Sequence, residues 1–175
     1  MIQIIPTDTC YGLAWEMNER DYREIYRLKW RDFSKKLAIL VYNFDSLREI
    51  AEISNKQIQK LQEYQYPWSV ILPINKNYIL PHFLDIAGYS NISFRVAEYC
   101  IPASVRDMIS YPLFLTSANS SGKRESTNLI DAKEYFPWID GYDGWICDYA
   151  PSDIFSFTAD NELIYFRQTP QKKSL

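Results

Sequence analysis

Lys29, Arg31, Lys35 and Lys36 lie within eight residues of one another, inside a stretch from Arg20 to Lys36 that carries seven basic and three acidic side chains. The whole chain has 19 basic and 22 acidic residues and a net charge of -3, so this local excess suits an anionic ligand rather than a nucleic-acid coat. Guanidinium groups grip phosphate oxygens through a planar fork, and lysines add mobile point charges. A solvated helix face accounts for the same run equally simply. Downstream, the segment TSANSSG (116–122) offers hydroxyls, a carboxamide and a glycine directly after the apolar run PLFLT (112–116). Such a loop presents short donors to a phosphate or an adenylate, or is an ordinary turn. Neither GxxxxGK[ST] nor GxGxxG occurs in the chain. Arg95 interrupts the apolar run 91–96, and an arginine held there needs an anionic partner, either an internal carboxylate or a ligand. Thr7, Asp8 and Thr9 follow the first apolar run, where they form either a hydrogen-bonded turn or one wall of a cleft.

Composition removes several chemistries. His82 is the one histidine, so a Ser-His-Asp triad or a histidine metal cage has no material, and beside Pro81 it reads as a loop residue. Cys10, Cys100 and Cys147 are odd in number and widely spaced without a CxxC pair, which argues against a disulfide framework or zinc site and fits a reducing cytoplasm. Cys10 is read as a packing residue. No apolar run approaches the roughly 18 residues of a membrane span, and the first nine residues have neither a basic nor a long apolar region. The expectation is a soluble, unexported, cytoplasmic protein.

Short apolar runs predict strands over 2–5, 37–42, 68–74, 91–96, 112–116, 144–147, 154–158 and 163–167. Tyr22, Ile25, Tyr26 and Lys29 recur at helical spacing and predict a helix over 19–29. Further helices are expected from a cap at Asp45 or Ser46 through 53, from a Ser54/Gln57 capping box to 64, from Pro102 through 109, and from Asn128 to 136. This alternation implies an α/β fold: a single domain over 1–175, with a mixed sheet flanked by helices and polar loops gathered beyond the strand ends.

The motifs resemble those of the YrdC-like family of threonylcarbamoyl-adenylate synthases along nearly the whole chain. They are PTDTCYGL (6–13), the KxR element Lys29-Trp30-Arg31 with Lys35, YPWSVIL (66–72), Arg95-Val96, PLFLTSANSSG (112–122), PSDI (151–154) and YFR (165–167). The resemblance implies a twisted sheet with an open basic cavity that converts ATP, L-threonine and bicarbonate into L-threonylcarbamoyl-adenylate and pyrophosphate, for the threonylcarbamoyladenosine modification of tRNA. It implies Mg²⁺ bridging the ATP phosphates, and tRNA or the transfer machinery as a partner. Lys29 and Arg31 would be catalytic. Arg31, Lys35, Ser69, Ser117, Asn119, Thr127 and Arg167 would hold the nucleotide, while Thr9, Arg95 and Ser152 would line the threonine pocket. Here the family's KGRP reads Lys29-Trp30-Arg31-Asp32, a family histidine is replaced by Leu40, and PGPxT and STVV become QYPWS (65–69) and SDIF (152–155). Those departures leave two alternatives: a catalytically degenerate relative that binds RNA or nucleotide, and an adenylating carbamoyl transfer to another small substrate.

Overall fold

The computed structural model describes residues 1–145, 147 and 150–170. In chain order the elements are β1 (Gln3–Pro6), β2 (Tyr11–Glu16), α1 (Glu19–Lys29), β3 (Ala38–Val41), α2 (Phe44–Ile50), α3 (Asn55–Glu63), β4 (Trp68–Pro73), α4 (His82–Ile86), β5 (Asn91–Val96), α5 (Ala97–Cys100), α6 (Ala103–Arg106), β6 (Leu113–Ser117), α7 (Leu129–Tyr135), β7 (Asp153–Phe157) and β8 (Leu163–Arg167). One eight-stranded mixed sheet runs in the order β1-β2-β6-β3-β5-β4-β7-β8. The β3–β5 and β4–β7 pairs are parallel and the others antiparallel.

Side chains alternate across a strand, and the two faces of this sheet have different fates. Ile39, Val41, Val70, Leu72, Phe94 and Phe114 join a large core with Tyr22, Ile25 and Tyr26 of α1 and with Leu47 of α2. Their sequence neighbours Leu40, Leu113 and Leu115 belong to a smaller cluster with Ala97, Cys100, Ile101 and Val105. The second face is therefore only partly covered by α5 and α6. Leu40 is fully buried in that small cluster.

Local chemistry sets the boundaries. Asn18 accepts the Asp21 N–H at 2.9 Å to start α1, and Trp30 ends it in the left-handed region at φ 51°. Ser54 and Gln57 form the expected capping box of α3. α2 is capped two or three residues earlier than expected because Asn43 accepts the Ser46 N–H, and it stops at Ile50 because Ala51 bridges Ile74. The helix expected over 102–109 ends at Arg106. His82 opens the short α4 rather than lying in a loop. Of the strand expected at 144–147, the described residues 144, 145 and 147 are not in a strand: Trp145 Nε1 and Cys147 Sγ donate to the Thr7 carbonyl, and Cys147 N–H to that of Thr127, so these donors serve other loops. Ile146 lies outside the described residues. Among the described residues no helix is long and apolar enough to cross a membrane.

Candidate active site

The uncovered part of the second face is a cavity of about 390 Å³, within the roughly 300–1,000 Å³ range of small-molecule sites. Its floor follows the two-residue period: Ser69 and Ile71 of β4, Ser93 and Arg95 of β5, Leu115 and Ser117 of β6, and Ile154 of β7. Thr7, Thr9 and Cys10 from the β1–β2 turn close one side, Arg31 and Lys36 another, and Pro151, Ser152 and Arg167 a third. Gly12 lines it as well. A Cβ there would sit 2.7 Å from Leu115 Cδ1 and 3.2 Å from the Thr116 carbonyl oxygen, so a side chain at this position would have to displace Leu115 where β2 closely approaches β6.

The Thr7–Cys10 segment is both a hydrogen-bonded turn and a cavity wall. Thr7 Oγ1 donates to the Cys10 carbonyl at 2.6 Å and accepts the Thr9 and Cys10 N–H groups at 3.3 Å. Arg95 has the internal partner that its position required: Nη2 meets Asp8 Oδ1 at 2.6 Å, and Nε donates to the Trp68 carbonyl at 3.1 Å. Burial raises the Asp8 pKa above the ordinary carboxylate value, with Arg95 pulling the other way. Across the floor, Ser69 and Ser152 hydroxyls lie 3.1 Å apart, and Arg167 donates to the Ser152 carbonyl at 2.8 Å and to its hydroxyl at 3.1 Å. This joins β4, β8 and the loop before β7.

Two residues of the KxR element part company. Arg31 enters the cavity, with Nε on the Lys35 carbonyl and Nη2 on that of Lys36, both at 3.0 Å. Lys29 does not enter it. Only 1% of Lys29 is exposed. Its Nζ donates to the Ser117 carbonyl, to the Asn119 carbonyl at 2.7 Å and to Asn119 Oδ1 at 3.2 Å. Three oxygens match the three protons of an ammonium group. Burial, with nearby Arg31 second, lowers its pKa to about 7. Lys29 thus fastens α1 to the loop after β6. Asn119 lies beneath that loop, taking the Ser117 hydroxyl at 2.7 Å on Oδ1 and donating from Nδ2 to the Lys123 carbonyl at 2.6 Å.

Of the residues expected at the site, Thr9, Arg31, Ser69, Arg95, Ser117, Ser152 and Arg167 line one cavity. Lys29, Lys35, Asn119 and Thr127 do not. Lys35 contributes its backbone carbonyl to Arg31 while its side chain is exposed, and Thr127 turns to Asp131 at the start of α7. Lys36, from the basic run, and Glu125 also line the cavity. The charge run pointed to Lys36, whereas nothing singled out Glu125. Cys10 is buried, and burial followed by the charge of Glu125 pushes its thiol up to about 12.

The family described as Telomere recombination (Sua5, YciO and YrdC) matches residues 1–168. A Methanocaldococcus jannaschii protein named provisionally as a threonylcarbamoyl-AMP synthase is 29% identical over 170 residues, covering 95% of this chain and 79% of its own. A doubly substituted Pyrococcus abyssi Sua5 superposes with a TM-score of 0.77 at 22% identity, over 95% of this chain and 49% of that one. P. abyssi Sua5 complexed with L-threonine superposes with a TM-score of 0.69 at 22% identity, over 89% of this chain and 47% of that one. The chain therefore spans about half the length of those two Sua5 chains. With its α/β architecture and the match along almost its whole length, the chain belongs to the Sua5/YciO/YrdC family.

Proposed function

We propose that the cavity binds ATP, L-threonine and bicarbonate and forms L-threonylcarbamoyl-adenylate with release of pyrophosphate, for tRNA modification. The observation that carries this reading is convergence. Arg31 from the loop after α1, Ser117 from the end of β6 and Arg95 from β5 face one hollow although they are far apart in sequence. The names of the relatives and the threonine complex of P. abyssi Sua5 support it.

Arg31 and Lys36 would offset triphosphate charge, beside the Ser117 loop that Asn119 and Lys29 brace. Arg95 would take the amino acid's carboxylate, and Thr9, Ser69 and Ser152 the polar remainder. Bicarbonate carboxylates the amine with loss of water. A carbamate oxygen then attacks the α-phosphorus, a new P–O bond forms, and the bond to the β-phosphate oxygen breaks as pyrophosphate leaves. The substrate supplies the nucleophile, so the chain's task is placement and charge stabilisation. Mg²⁺ would be carried by phosphate oxygens and water. The ion would neutralise phosphoryl charge.

Purified protein with Mg²⁺ is expected to release pyrophosphate from ATP only when L-threonine and bicarbonate are both present. Folded protein that releases none overturns the reading. A second reading, RNA binding without turnover, is favoured by one surface: Trp30, Phe33 and Trp138 line an outer groove with Arg23, Arg27 and Arg31. Aromatic faces beside arginines stack unpaired bases. RNA affinity falling steeply with salt, in the absence of pyrophosphate release, would select it.

A further inference from the structure

Arg31, Lys36, Arg95 and Arg167 bring four cationic side chains to the cavity, and Glu125 brings the one carboxylate among its described lining residues. The cations have protein acceptors: Arg31 on two carbonyls, Lys36 on the Gly88 carbonyl, Arg95 on Asp8 and the Trp68 carbonyl, and Arg167 on Ser152. Glu125 differs. It is half-buried, and no side-chain hydrogen bond or ion pair among the described residues uses its carboxylate.

Its backbone is nevertheless held in place. The adjacent Ser126 is buried, donates Oγ to the Ala118 carbonyl at 2.6 Å, and accepts the Tyr11 N–H on its own carbonyl at 2.8 Å. The charge of Glu125 is felt at Cys10, beside Thr9, and at Lys29. A partly desolvated carboxylate on a held backbone, lining a cationic hollow, fits a ligand that is itself cationic at one point. ATP and bicarbonate have no such point at neutral pH, whereas an α-amino acid has its ammonium group.

We propose that Glu125 binds the amino group of the amino-acid substrate while Arg95 takes its carboxylate, and so restricts the site to α-amino acids. This rests on the amino-acid-adenylating reading of the cavity. Glu125 pairs with the ammonium group in the first complex, and the carbamate nitrogen keeps one N–H that the same carboxylate accepts after carboxylation.

Calorimetric titration of L-threonine, in bicarbonate buffer, and separately of Mg²⁺-ATP tests it on wild type, Glu125→Gln and Glu125→Asp. Glutamine keeps the shape and an acceptor oxygen but loses the charge. The expected result is a Kd for threonine raised at least about tenfold by glutamine, less by aspartate, with ATP binding unchanged. Threonine bound equally by wild type and Glu125→Gln overturns the assignment, as does a matching loss of ATP affinity. An altered Mg²⁺ requirement of ATP binding also overturns it, by giving the carboxylate to the metal. Wild type that binds ATP but no threonine overturns the functional reading itself, and the assignment with it.

Discussion

Arg95 and Arg31, two of the three arginines lining the cavity, sit in opposite surroundings. Arg95 rises from a central strand, is 6% exposed, and is already paired with Asp8 before any ligand arrives. Arg31 lies on the loop after α1, half-buried, with only backbone carbonyls as partners. A strand-borne cation is preset at the expense of being part of the fold's stability, whereas a loop-borne one can follow a ligand without disturbing the core. Substitution separates these roles.

The largest effect is expected at Arg95. Arg95→Ala leaves Asp8 buried without its counter-charge and should lower stability by about 3–5 kcal/mol in chemical denaturation. Arg95→Met combined with Asp8→Leu should lose less than Arg95→Met alone, and an equal or larger loss would show that the pair does not act as a unit. Arg31→Ala should leave stability within about 0.5 kcal/mol while lowering pyrophosphate release by about 10²-fold. A stability loss as large as that of Arg95→Ala would erase the contrast.

Lys29 tests whether burial alone makes a cation structural. Lys29→Met strands buried carbonyl oxygens of the Ser117–Asn119 loop and should cost about 1–3 kcal/mol. Because burial holds the folded pKa near 7 against about 10.5 for an ordinary lysine, the unfolded chain binds more protons between those values. Wild-type stability should therefore gain up to about 1.4 kcal/mol per pH unit from this group above pH 7, a contribution that Lys29→Met lacks. Urea denaturation of both proteins from pH 7 to pH 9 measures the difference. The smallest effects are expected at Lys35→Ala and Thr127→Ala, whose side chains stay outside the cavity; turnover should match wild type.

Much of this contrast was written in residue types. Arg95 in an apolar strand demanded an anion and found Asp8, and the α3 capping box falls where Ser54 and Gln57 place it. The burial of Lys29 was also legible: it shares the helical period of Tyr22, Ile25 and Tyr26, yet its place in a charge run suggested an exposed phosphate contact. β2 was invisible because Tyr11–Trp15 is buried without polar alternation and begins directly after a polar turn. Glu125 lies in a polar loop with no periodicity, and the bonds of its neighbour Ser126 to Ala118 and Tyr11, which hold that loop, are tertiary contacts. The strand expected at 144–147 is absent from residues 144, 145 and 147 for a related reason. Trp145 and Cys147 clamp the Thr7 carbonyl, a tertiary contact that local pattern does not encode.

The strand order has a kinetic consequence. β2 meets β6, β3 meets β5 and β4 meets β7 only after long intervening segments have closed. Topologies dominated by such non-local pairing fold on the slow, millisecond-to-second end of the scale for small domains. The helices can gain their far-ultraviolet signal early, but ligand capture must wait for the last of these closures, so in refolding experiments nucleotide binding should return after helicity has recovered.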